Sequence, residues 1–148
     1  MLKGISKILS PDLLKILCEM GHGDEIVIAD ANFPSANYGK RVIRADGISG
    51  IDMLNAVLSV FPLDTYSEPN MILMQLMDCD VGKINPEIWA KYKEIAQKND
   101  DNTKIGNIDR FEFYDRAKET YAVIATGEEA VYANILLKKA LSNKIFVF

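Results

Sequence analysis

The segment Gly21-His22-Gly23-Asp24 runs into Glu25-Ile26-Val27-Ile28-Ala29-Asp30 and holds the chain's only histidine. Imidazole is the one side chain that trades protons near neutral pH by default. Flanking glycines let the backbone adopt positive φ or approach a ligand closely. The apolar run Ile26 to Ala29 predicts a buried strand that delivers Asp30 at its carboxyl end, where open α/β sheets place ligand contacts. A second polar group lies in the last third. In Arg110-Phe111-Glu112-Phe113-Tyr114, the four-residue spacing puts Arg110 and Tyr114 on one helical face. In Tyr132-Ala133-Asn134, an extended backbone would put the phenol and the amide on one side. A guanidinium, phenols, an amide and carboxylates suit a ligand built of hydroxyl groups and a ring oxygen. The plainer reading of each residue alone is aromatic core or surface charge.

The elements that must position these groups alternate in type. Ser10-Pro11 opens a helix, with Leu13, Leu14, Leu17 and Met20 as its apolar stripe and Gly21 as its C-terminal stop. Glu25 to Ala29 is a strand, Ala31 to Lys40 a loop, and Arg41 to Ala45 a second short strand. A helix near Ser49 carries Ile51, Leu54, Val57, Leu58 and Phe61 and ends at Pro62. Met71 to Met77 is strand-like, Pro86 to Lys98 helical, and Asn99 to Asn102 a polar break expected to be mobile. Arg110 to Lys118 is an aromatic helix, Tyr121 to Ala125 a strand, Thr126 to Glu128 a turn, and Ile135 to Leu137 a strand. This alternation predicts a single α/β domain over 1–148, a mainly parallel sheet covered by helices on both faces.

Composition narrows the function. With 49% hydrophobic and 26% charged residues the 148-residue chain is globular. A net charge of −4 argues against nucleic-acid or anionic-membrane partners, which need a basic face. No apolar run approaches bilayer length, and Met1 to Leu9, broken by Lys3 and Lys7, does not read as a signal peptide. Cys18 and Cys79 lie in apolar stretches far apart and read as reduced thiols, so the expected location is the cytoplasm. One histidine and no Cys-x-x-Cys leave no structural zinc pattern. Gly21-His22-Gly23 follows a helix and lacks the third glycine of a dinucleotide fingerprint. There is no P-loop and no Gly-x-Ser-x-Gly elbow. Asp78-Cys79-Asp80 has too few neighbouring oxygens for a hard cation and reads as a solvated turn.

Taken in order, these segments resemble the D-ribose pyranase and L-fucose mutarotase family over nearly the whole chain. The resemblance rests on Ser10-Pro11 with Leu13-Leu14, Gly21 to Asp24, Ala29-Asp30, Phe33-Pro34 and Arg44-Ala45-Asp46-Gly47. It continues through Leu63-Asp64-Thr65-Tyr66, Arg110 to Ala117, Ala125 to Glu128 and Tyr132-Ala133-Asn134. The Leu-Asp-Thr-Tyr and Arg-Phe-x-Phe-Tyr segments look like the fucose branch. The resemblance implies a cofactor-free α/β enzyme that mutarotates a sugar, here L-fucose, and assembles as a ring homo-oligomer, often a decamer of two pentamers. It makes His22 the proton donor and Asp30 a sugar contact. Asp64, Arg110, Tyr114, Tyr132 and Asn134 match its remaining site positions.

Exchanging anomers opens a cyclic hemiacetal, turns the aldehyde face and closes it again. One group protonates the ring oxygen while another takes the anomeric hydroxyl proton. On this reading His22 serves the ring oxygen and Tyr114 the anomeric hydroxyl, two roles open to exchange. Asp30 and Arg110 orient the sugar, and Asp64, Tyr132 and Asn134 complete recognition. Spacing adds a constraint. His22 and Asp30 are eight residues apart, on the order of 20 Å if the interval is mostly strand. Either the chain bends sharply at Gly23 or one site draws residues from two subunits, and the second agrees with a ring assembly. Ribose pyranase activity and non-catalytic sugar binding are the alternatives.

Overall fold

The computed structural model of the chain describes residues 1–141. Helix α1 (Pro11–Glu19) starts where Ser10 accepts a hydrogen bond from the Leu13 N–H, with proline in the first turn. It buries Leu13, Ile16 and Leu17. Gly21 is not its left-handed stop. The helix ends with Met20 extended, and the glycine that takes positive φ is Gly23, at +86°. Strand β1 (Glu25–Ala29) leads to a short helix α2 (Ser35–Tyr38), β2 (Val42–Ala45) and α3 (Gly50–Leu58), the last capped by the Ser49 hydroxyl. Strand β3 (Met71–Met74), α4 (Ile88–Asn99), β4 (Ile105–Ile108), α5 (Arg110–Glu119), β5 (Ala122–Thr126) and β6 (Ile135–Lys138) follow.

The six strands form one sheet in the order β2-β5-β1-β6-β3-β4. Only β6 runs antiparallel to its neighbours, β1 and β3; the other pairings are parallel. The sheet is mainly parallel, as the alternation of elements predicts. Side chains alternate across it. Ile26, Ile28, Ile124, Leu73, Ile135 and Leu137 share one buried cluster with Leu13 and Leu17 of α1, Met53 and Leu54 of α3 and Tyr92 of α4. Val27, Val123, Ile72, Met74 and Leu136 form a second cluster with Phe33 and with Phe113 and Ala117 of α5. Both faces are therefore covered by helices, which explains why β1, β3 and β5 read as continuous apolar runs.

Four expectations are revised. Strand β4 and helix α2 are absent from the sequence reading. β4 contains glycine and asparagine and gains strand character by pairing with β3, while the Pro69 ring packs where a side chain at Gly106 would sit. The 99–102 segment is tethered instead of loose. Asp100 accepts the N–H groups of Leu63 and Asn102, and the Asn70 amide donates to the Asn102 carbonyl. Cys18 and Cys79 are both exposed, not enclosed by apolar neighbours. Among the described residues no helix is long and apolar enough to cross a membrane.

Candidate functional site

In parallel strands the carboxyl ends share one edge of the sheet, and the antiparallel β6 brings its beginning to the same edge. Asp30 follows β1, Met74 ends β3, Arg110 opens α5 after β4, and Asn134 precedes β6. Together with Asn32, Phe33, Tyr114, Val131 and Tyr132 they line an open cavity of about 240 Å³. Five site residues named from sequence (Asp30, Arg110, Tyr114, Tyr132 and Asn134) thus meet in one place.

Each is held. The Asn134 amide oxygen accepts the Asp30 N–H at 2.8 Å, so its N–H donors are the groups left for a ligand. Asp30 is 6% exposed. Burial pushes its carboxyl above the ordinary 3.8, an effect partly offset by N–H donors of Asn32, Ala133 and Phe33 and reinforced by the Glu128 charge. Arg110 Nε donates to the Tyr114 phenol oxygen at 3.0 Å, with the guanidinium carbon 5.3 Å from the ring centre. The four-residue spacing on α5 makes this contact possible, and Asp109, capping α5, fixes where Arg110 emerges. The hydrogen bond to Tyr114 raises the Arg110 guanidinium further above its ordinary value. Phe33 and Tyr38 hold the Tyr114 ring, with centroids 5.6 and 5.2 Å away.

Tyr132 departs from the extended backbone expected of it. Its φ is +56°, a left-handed residue in a turn. Its hydroxyl donates to Asp80 and accepts the Met77 N–H at 3.2 Å. Asp80 was legible only as part of a solvated turn. In the fold that turn also ties down the phenol of Tyr132, and Arg110 Nη1 lies 3.3 Å from Met77 Sδ. Among the described residues no group of three or more histidines, cysteines or carboxylates is arranged to hold a metal ion.

His22 and Asp64 stand at the other edge of the sheet. Asp64, 1% exposed, follows Leu63, which bridges to Lys139 just past the end of β6. His22 Nε2 meets Asp64 Oδ1 at 3.2 Å, and the imidazole lies 5.4 Å from the Tyr66 ring. Burial alone would raise the Asp64 carboxyl. Hydrogen bonds from the Tyr66 N–H, Ser67 and His22 outweigh it and hold the group below its ordinary value. Asn70, 1% exposed, donates to the Asp64 carbonyl and so fixes this corner. The chain does turn at Gly23, whose N–H bonds to the Lys139 carbonyl, but the turn keeps His22 beside Asp64. The five residues of β1, roughly 16 Å of strand, still separate it from Asp30. Within one chain, the imidazole and the cavity are apart.

A second cavity, about 250 Å³, shares Asp30 and Phe33 with the first and is also lined by Ser35, Arg44, Asp46 and Thr126. Among the described residues, the Ser35 hydroxyl that faces this region is the one buried side-chain polar atom without a hydrogen-bond partner.

Comparison with known proteins gives the lineage. Residues 3–142 match the model of the RbsD / FucU transport protein family. The fucose mutarotase of Mus musculus is 49% identical over 142 residues, 93% of each chain. The crystal structure of the fucose mutarotase from Streptococcus pneumoniae, in complex with L-fucose, superposes with a TM-score of 0.88. It is 45% identical, covering 95% of this chain and 99% of that one. The RbsD of Bacillus subtilis, complexed with D-ribose, is more distant, at a TM-score of 0.74 and 26% identity over 96% of this chain and 99% of that one. With its sheet, its helices and nearly its full length in common with these proteins, the chain belongs to the RbsD / FucU family.

Proposed function

We propose that this protein interconverts the α and β anomers of L-fucose by acid–base opening and closing of the sugar ring, as one mutarotase domain spanning the chain. The observation that carries the reading is the cavity at the carboxyl ends of the strands, where one carboxylate, an Arg–Tyr pair, a second phenol and an amide converge. These are the groups that grip hydroxyls. The similarity to fucose mutarotases, stronger than that to the ribose-bound relative, favours fucose over ribose.

Asp30 accepts from sugar hydroxyls, while Asn134 donates to them through its free N–H groups. Arg110 donates into the Tyr114 oxygen, which leaves the phenol O–H to face the sugar and supports the negative charge that forms when the proton leaves. Tyr114 therefore protonates the ring oxygen and His22 takes the proton of the anomeric hydroxyl through Nδ1, its Nε2 resting on Asp64. This exchanges the two roles inferred from sequence alone. Proton balance is kept, because ring closure returns each proton to its source.

His22 cannot serve the cavity of its own chain across the length of β1. We therefore assign it to the cavity of a neighbouring copy in a ring homo-oligomer, of decameric size by the family resemblance. Exposed apolar side chains occur at both halves: Tyr66 beside His22, and Val131 in the lining of the cavity. Such surfaces favour burial between copies. A cytoplasmic location accords with two free exposed thiols.

Saturation-transfer NMR on L-fucose and D-ribose tests the reading. Accelerated exchange between fucose anomers is expected, with ribose ring forms left near their uncatalysed rates. Perturbed sugar signals without accelerated exchange would make the protein a binder, and acceleration confined to ribose would make it a pyranase.

A further inference from the structure

We propose that Trp89 and Tyr92 are positioning residues of the sugar site, clamping the backbone of Tyr132 and Ala133 so that the Tyr132 ring and the Asn134 amide stay aimed at the cavity. This rests on the reading that the cavity binds the sugar. Among the described residues Tyr132 is the only non-glycine with positive φ. A bulky residue persists there only where its surroundings hold it. Two donors from one turn of α4 supply that hold. The Trp89 indole N–H donates to the Tyr132 carbonyl at 2.8 Å, and the Tyr92 hydroxyl donates to the Ala133 carbonyl at 3.0 Å.

The arrangement is built into the fold beyond these two bonds. Tyr92 is fully buried, and a Cβ at Gly50 would overlap its hydroxyl, so the start of α3 is shaped to admit the phenol. Burial, with the charges of Glu128 and Asp30, pushes the Tyr92 phenol far above its ordinary value, which keeps it a donor. On the cavity side the same segment is fixed by Asn134 to Asp30 and by Tyr132 to Asp80 and Met77. Residues 132–134 are thus gripped from the helical layer below and from the ligand side above. Were the two α4 bonds merely satisfying buried polar groups, their loss would lower stability and leave kinetics alone.

Three measurements separate these cases. In the intact protein Trp89 is the sole tryptophan, so its emission reports on the clamp; saturating L-fucose is expected to shift it. In Tyr92→Phe and Trp89→Phe, kcat/KM for anomer exchange is expected to fall about tenfold or more, since small misplacements of a gripping group are costly. In Ile88→Val, a trimmed core residue on the same helix, the melting temperature falls with kcat/KM unchanged. Tyr92→Phe and Trp89→Phe proteins that melt lower yet keep wild-type kcat/KM would overturn the clamp while leaving the mutarotase reading intact. So would unaltered Trp89 emission in wild type that exchanges fucose anomers. Wild type that neither binds fucose nor accelerates its exchange would overturn both.

Discussion

Replacing His22 with alanine is expected to lower fucose anomer exchange by roughly 10²- to 10⁴-fold, the contribution of one positioned acid or base. Folding is expected to be weakened only by about 1 kcal/mol, the scale of one lost hydrogen bond to the buried Asp64 carboxylate. The side chain is 42% exposed, so no cavity opens in the core. Its loss leaves the Asp64 carboxylate with the Tyr66 N–H and Ser67, enough to hold that corner. Saturation-transfer rates and a urea melt, run on the same preparation, check both halves. A large loss of stability would mean the imidazole is structural. Wild-type exchange in the variant would remove it from the chemistry.

Asp30→Asn is expected to move activity and stability in opposite directions. Asparagine keeps an acceptor for the Asn32 N–H but loses the charge that grips sugar hydroxyls, so kcat/KM falls roughly 10- to 100-fold, as for a lost charge-assisted hydrogen bond. Burial holds the Asp30 carboxyl above its ordinary 3.8 in the fold. The folded state therefore binds this proton more tightly than the unfolded chain, and ionisation opposes folding. The cost is absent at pH values below 3.8, grows as pH rises through the raised folded value, and is complete above it. At neutral pH the neutral amide, which carries no ionisation cost, is expected to raise the melting temperature. That advantage should shrink toward zero as the melts are repeated at progressively lower pH. An Asp30→Asn protein less stable than wild type at neutral pH would show that the carboxylate is a net structural asset.

What could be read in advance followed from strong local signals. Ser10-Pro11 marked α1 because a hydroxyl cap and a fixed φ both favour a helix start. The Arg110–Tyr114 contact follows from helical spacing alone. Even the separation of His22 from Asp30 was legible, because strand rise multiplied by residue count sets a length that no side chain spans. Other features depend on partners distant in sequence. β4 is a strand because β3 and Pro69 make it one, and its Gly-Asn centre carries no such preference. Tyr132 lacks the glycine that would announce a left-handed turn, and the donors that sustain it come from α4, some forty residues earlier. Asp64 is buried because Asn70 and the end of β6 close over it. The turn of Asp78 to Asp80 looked like plain surface until Tyr132 reached it.

On the proposed reading the two halves of the site, at opposite edges of the same sheet, meet between copies of the chain. The most direct measurement mixes His22→Ala with Asp30→Asn chains in equal amounts, lets them assemble together, and follows fucose anomer exchange by NMR. Each variant alone should be nearly inactive. In mixed rings about a quarter of the sites pair an intact imidazole with an intact cavity from a neighbour, so about a quarter of wild-type exchange should return. Mixed assemblies, verified by mass to contain both chains, that exchange fucose no faster than the two variants measured separately would contradict the shared site.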